Sequence, residues 1–302
     1  MFENFRYHLL LHIIIFIWGF TGILGKLIHL ESLSIVWWRV VIAFIALGIY
    51  LKFKKWNFKV HSRKQLYTIL GVGVLVSLHW ILFYKSIQLS TASLGILCLS
   101  TTTLHVTWLE PLIMKRRFLI SEFISGILII CALIYVSGDF SATDYTALFL
   151  GLTSALMAAL FSVFNAKLVQ ETSSQTISFY EFGIAVVFLS ILLGFEGRLN
   201  ASLFVMTTSD FLWLLFLGIV CTSFAFLVVV DLVKRLGAFT VSLSINMEPV
   251  YTIFLAIAIL NENAQLSNKF YIGAAIIVAI VVLNAVIKYR MKMKNTAAFD
   301  GN

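Results

Sequence analysis

Ten apolar stretches follow one another along this chain, separated by short polar connections. A run of about 20 apolar residues matches the ~30 Å hydrocarbon thickness of a bilayer when wound as a helix. The stretches run from Leu9 to His29, Leu33 to Leu51, Leu66 to Ser86, Ala92 to Met114 and Ile120 to Ser137. The second five run from Ala147 to Leu168, Ile177 to Phe195, Phe211 to Leu232, Ala238 to Leu260 and Phe270 to Ile287. Composition agrees: 61% of the 302 residues are apolar and 12% are charged. That leaves too little polar surface for a soluble enzyme, a disordered chain or a nucleic-acid binder. With only Pro111 and Pro249 as prolines, each span is expected to be a continuous helix. The expected fold class is an all-α membrane protein with the lipid bilayer as its partner. The first stretch reads as a retained span, because it is long and no small-residue cleavage site follows it.

The net charge of +8 becomes informative once the bases are sorted by side. With the N-terminus placed inside, four of the 22 Lys and Arg fall outside: Lys26, Lys85, Arg198 and Lys269. Arg39 lies within a span, and the other 17 fall inside. A bias of this size fits ten spans with both termini cytoplasmic. The expected location is the cytoplasmic (inner) membrane of a bacterium. Cys98, Cys131 and Cys221 lie in apolar stretches with no metal-binding or disulfide spacing, and read as small buried hydrophobes.

The chain also repeats itself weakly. Phe20-Thr21 with Gly25-Lys26-Leu27 in span one matches Phe161-Ser162 with Ala166-Lys167-Leu168 in span six. Thr91-Ala92 matches Gly237-Ala238, and Phe123 with Gly126 matches Phe270 with Gly273. The offset drifts from 141 to 147, as changing loop lengths require. This divides the chain into residues 1–140 and 141–302. Five spans per half turns the second half upside down, an inverted repeat of the kind secondary transporters use. The two Glu-Pro pairs, Glu110-Pro111 and Glu248-Pro249, are 138 apart and do not fit this register. At an offset of 146, Glu248-Pro249 faces Thr102-Thr103.

Charged groups within spans are costly and so are candidate functional residues. Glu248 lies about 15 Å into span nine at 1.5 Å per residue, close to the midplane. Thr240, Ser244, Glu248 and Thr252 share its helix face, with Tyr251 beside them and Asn246 off the stripe. Such a carboxyl is suited to substrate contact or proton exchange. Pro249 removes a backbone hydrogen bond and is expected to bend the helix there. In span four Ser100, Thr103, Thr107 and Glu110 form a stripe, with Thr102 near mid-depth. These hydroxyls either line a cavity or bond back to their own helix. His79 and Trp80 in span three, His105 in span four and Trp18 in span one are further candidates for substrate or proton contact. Arg39 and Glu181 hold matching places in spans two and seven, and read as separate gates or as snorkelling residues. By helix rise they differ by about 15 Å in depth, which argues against a direct ion pair. Gly19, Gly22 and Gly25, with Ser154, Ala155, Ala158, Ala159 and Ser162, are expected to let helices pack closely.

These features resemble the EamA-type family of the drug/metabolite transporter superfamily. The resemblance rests on Trp18-Gly19, Lys26 and Arg39 in the first half. In the second half it rests on Gly237-Ala238, Glu248-Pro249-Val250, Glu262 and Gly273. The first half departs from the pattern, with Thr103 where a proline often stands and Arg116 where the closing Glu would be. The resemblance implies a carrier, often an exporter, of a small metabolite, working by alternating access around spans three, four, eight and nine. It implies a small-molecule substrate and no cofactor. No phosphate-binding loop, His-Glu-x-x-His or nucleophile elbow is present in the sequence. The competing classes are an intramembrane enzyme on a lipid-linked substrate and a channel. The chain is expected to be a monomer-sized unit without metal.

Overall fold

The computed structural model describes residues 2–60, 62–115, 118, 120–137, 140–236, 241, 244, 245 and 247–299. Among these residues the regular structure is helical, with no strand. Helices α1 (Phe2–Leu27), α2 (Ser32–Phe53) and α3 (Arg63–Leu89) are followed by two shorter ones, α4 (Ala92–Leu99) and α5 (Thr102–Met114). Then come α6 (Ile120–Val136), α7 (Ala142–Leu168), α8 (Ser174–Phe195) and α9 (Thr208–Leu215). A π-helical segment, Phe216–Phe224, joins α9 to α10 (Ala225–Leu236). The last two are α11 (Glu248–Leu260) and α12 (Asn268–Phe299). Seven helical stretches are long and apolar enough to cross a bilayer. Three shorter apolar helices, Phe123–Val136, Glu248–Leu260 and Asn268–Asn284, occupy the expected spans five, nine and ten.

Apolar side chains point both ways. Leu24, Val40, Leu47, Leu189 and Leu217 pack α1, α2, α8 and the π-helical segment into one core. Ile45, Phe149, Phe195 and Phe254 are exposed on the outside. Outward apolar side chains suit a helical surface that meets lipid. Cys98 and Cys221 are buried as expected, whereas Cys131 is exposed. Span four is not one continuous helix. It breaks at Ser100 and Thr101, without a proline. Thr101 Oγ1 bonds back to the Cys98 carbonyl at 2.7 Å, and a run of hydroxyl residues offers the backbone this alternative to the helix.

That break carries the internal repeat. Helix α5 starts at Thr102 and ends against Lys115, whose backbone is left-handed at φ 56°. Helix α11 starts at Glu248 and ends against Asn261, left-handed at φ 54°. Both helices have 13 residues. Both ends are offset by 146, the register that pairs Thr102-Thr103 with Glu248-Pro249. Pro111 lies inside α5, while Pro249 is the second residue of α11. The two Glu-Pro pairs therefore occupy different places in equivalent helices.

Close helix approach sets the site. A Cβ on Gly73 would come within 2.6 Å of the Glu181 carbonyl oxygen, so α3 lies directly on the backbone of α8. A Cβ on Gly218 would meet Ile42 at 2.6 Å, so the π-helical segment lies directly on α2. At the loop end between α3 and α4, Glu262 is 2% exposed. Its carboxylate accepts from Ala92 N (2.7 Å), Ser93 N (3.1 Å) and Ser93 Oγ (2.6 Å). This satisfies the first free N–H groups of α4 from the far end of α11. Glu262→Ala is expected to cost about 2 kcal/mol, the scale of lost charge-assisted bonds at a helix start. Thermal unfolding of the purified protein checks it, and an unchanged midpoint would refute the tie.

Candidate functional site

A cavity of about 300 Å³ lies between the helices. Its wall takes Trp18 and Thr21 from α1, Arg39 from α2, and His79, Trp80 and Phe83 from α3. It takes Phe161 and Asn165 from α7, Ser178, Glu181 and Phe182 from α8, and Glu248 from the start of α11. Cys221 and Thr222 of the π-helical segment and Phe226 of α10 complete the side opposite α3. The wall is wider than spans three, four, eight and nine, because spans one, two, six and seven also reach it.

Arg39 is the organising group, and it is 6% exposed. Its Nε donates to Thr222 Oγ1 at 3.0 Å, and Nη1 donates to Tyr84 Oη at 3.3 Å. Its guanidinium carbon lies 4.0 Å from the centre of the Trp80 ring. Stacking and forked donation together are what a guanidinium offers and an ammonium does not. Thr222 in turn donates to the Leu217 carbonyl, five residues back, at 2.8 Å. Trp18 Nε1 donates to the Cys221 carbonyl at 3.2 Å. The π-helical turn is what presents these groups to α1 and α2. Such turns often mark functional sites.

Arg39 and Glu181 share one cavity wall, and no ion pair joins them among the described residues. Phe44 packs on Phe179, and Trp37 donates to Ser190, so α2 and α8 run antiparallel. That register sets Arg39 opposite Val186, so Glu181 lies about 7 Å away along the helix axes, by 1.5 Å per residue. This is less than the sequence estimate, because both helices begin further out than expected. Glu248 lies in the wall as well, where it experiences the charge of Arg39.

The other candidates divide. Trp18, His79 and Trp80 line the cavity. His79 is held by Ser154, with Nδ1 2.8 Å from its Oγ and 3.0 Å from its carbonyl oxygen. Thr252 is buried between α11 and α1 and donates to the Gly19 carbonyl at 3.1 Å. Tyr251 Oη lies 2.9 Å from His12 Nδ1, on the α1 side. Ser244 accepts at its carbonyl from Met247 N at 2.9 Å, in the turn that precedes α11. The face from Ser244 to Thr252 is thus interrupted just before Glu248. Ser100 is buried beside the α4–α5 break, and Thr102 Oγ1 is 3.5 Å from the Ala155 carbonyl. Thr103 is half-buried. His105 faces a second, apolar crevice of about 390 Å³ between α5, α6 and α7. Asn246, Thr240, the Gly237-Ala238 pair and Arg116 lie outside the described residues.

Tyr84, Thr222, Asn165 and Ser178 belong to the site or its support, and sequence reading passed over them. Asn165 carried the clearest signal, as an amide within an apolar span. Among the described residues no cluster of three or more His, Cys, Asp or Glu is placed to hold a metal ion.

One end of the bundle is tied by polar contacts. Lys26 donates to the Ser90 carbonyl, and Ser90 Oγ donates to Asp144 at 2.6 Å. Gln88 donates to the Leu30 carbonyl at 2.7 Å, and Asp210 accepts from His29 N at 2.9 Å. Arg198 pairs with Glu31. These ties and the Glu262 cap all join loops of the sparsely basic side.

The profile of the EamA-like transporter family matches residues 5–138 and 145–285, one match in each half. No curated protein matches. Twenty-three chains of solved structures match in fold. One crystal structure overlays with a TM-score of 0.65 at 12% identity, covering 93% of this chain and 97% of the other. At that identity the likeness carries the fold alone. Two family matches across an all-helical apolar chain place this protein in a membrane, and the chain belongs to the EamA-like transporter family.

Proposed function

We propose that this protein is a secondary transporter that exports a small metabolite by alternating access. In this reading ten helices form two inverted halves, residues 1–140 and 141–302, in the inner membrane of a bacterium with both termini cytoplasmic. The observation that carries it is that Arg39, Glu181 and Glu248 wall one shared cavity. Intramembrane charged groups around one cavity are expected of a substrate or proton path. Two further features support it. The breaks before α5 and α11 sit at equivalent places in the two halves, as discontinuous helices do in transporters with repeats. The polar ties among the outer loops close that end, so the cavity would load from the cytoplasm.

A solute screen by thermal stabilisation comes first. A ligand at 100 times its Kd adds about 2.7 kcal/mol to the folded state. Proteoliposomes preloaded with that solute are then expected to accumulate labelled solute by counterflow, with saturation. Flux without saturation or counterflow would refute a carrier and favour a channel. Chemical conversion of the solute without a gradient would favour an enzyme.

A further inference from the structure

Glu181 and Asn165 stand together in the cavity wall. The Asn165 side chain lies beside the Glu181 carboxyl. Glu181 Oε1 and Asn165 Oδ1 are buried without a hydrogen-bond partner among the described residues. Glu181 is 4% exposed. Leaving one buried acceptor unpaired is unfavourable, and most such atoms in folded proteins find a donor. Here two acceptors are left together in a cavity wall.

The charge balance points the same way. The wall holds two carboxyl groups, Glu181 and Glu248, and one guanidinium, Arg39. Arg39 acts on Glu248 and is held by Thr222, Tyr84 and Trp80. No described cation pairs with Glu181 in an ion pair. The same cavity wall carries the aromatic side chains Phe161, Phe182 and Phe226. Two acceptor oxygens without a donor, a carboxyl with no paired cation and aromatic rings match one chemistry. A protonated amine brings N–H donors, positive charge and affinity for ring faces. A carboxylate or phosphate ligand would find acceptors where it needs donors.

We propose that Glu181 and Asn165 form an ammonium subsite, and that this cavity takes a small protonated amine with an apolar body. That such an amine is cargo rests on the transporter reading above; that it binds does not.

The test uses the full chain, purified in lipid nanodiscs, and three probes of similar shape: phenethylammonium, 2-phenylethanol and 3-phenylpropionate. Titration calorimetry at neutral pH is expected to show the amine binding at least about tenfold tighter than the alcohol, with the carboxylate weaker still. Glu181→Gln is expected to lower amine affinity about tenfold or more, and Asn165→Leu several-fold. Where Glu181→Gln fails to elute as a folded species, Asn165→Leu and the comparison of the three probes still decide. No measurable amine binding, equal binding of the carboxylate, or unchanged amine affinity in a folded variant would overturn the subsite. Counterflow of the amine in proteoliposomes reads the other question. Glu181-dependent binding without counterflow refutes amine transport and upholds the subsite. Counterflow of some other solute by a protein that does not bind the amine overturns the subsite and leaves the transporter reading standing.

Discussion

Arg39→Leu is expected to abolish transport and to destabilise the protein by about 3–5 kcal/mol, the scale for removing one partner from a buried charged network. The substitution strips the donor from Thr222 Oγ1 and Tyr84 Oη, and the stacked cation from Trp80. It also leaves Glu248 without the charge that acts on it. Arg39→Lys is expected to recover part of the stability and little of the flux. An ammonium restores the charge, but it cannot donate to Thr222 and Tyr84 while lying flat on an indole. Counterflow and the unfolding midpoint, measured on the same preparations, read the two effects separately. Wild-type counterflow in Arg39→Leu would remove Arg39 from the transport site.

Glu248→Gln is expected to lower proton-linked uphill flux by about tenfold or more, equivalent to ~1.4 kcal/mol in the barrier. Downhill exchange of the same solute is expected to continue. Glutamine keeps the shape of the side chain and the helix start, where Glu248 is the first residue of α11. It cannot carry a proton. Stability is expected to change little, because the residue lines a cavity and does not fill a packed core. Flux and internal pH followed together in proteoliposomes provide the measurement. Proton movement equal to wild type would show that coupling lies elsewhere, with His79 the next group in the wall.

The amine subsite and these two residues form one arrangement. Arg39 and Glu248 line the same cavity, and Glu181 stands about 7 Å from Arg39 along the helices, by helix rise.

Much of this was legible in the residues. Glu248 stood out because so few charges interrupt the apolar spans. Trp18, His79 and Trp80 were candidates for the same reason and do line the cavity. Ser244 shares a helix face with Glu248 only if the helix is continuous, and the turn at Met247 breaks that assumption. Tyr251 and Thr252 lie within α11 but pack on α1. Span four failed the same assumption at Thr101. Absence of proline permits a continuous helix but does not enforce one, because clustered hydroxyls can take over backbone carbonyls.

The sequence by itself determined the helical membrane architecture, the two-part repeat with its offset of 146, and the short roster of charged groups within spans. Those follow from period, length and cost in hydrocarbon, which act residue by residue. Tertiary structure alone decided which of those groups share a space. Sequence alone sets Arg39 and Glu181 apart as gates or snorkelling residues at different depths, and gives Asn165 no partner. Gly73 brings α3 onto the Glu181 backbone, and Gly218 brings the π-helical segment onto α2. These close approaches join residues more than 100 positions apart in sequence. No pattern within one helix reveals where another will lie against it, because helix packing is set by small residues on both surfaces at once.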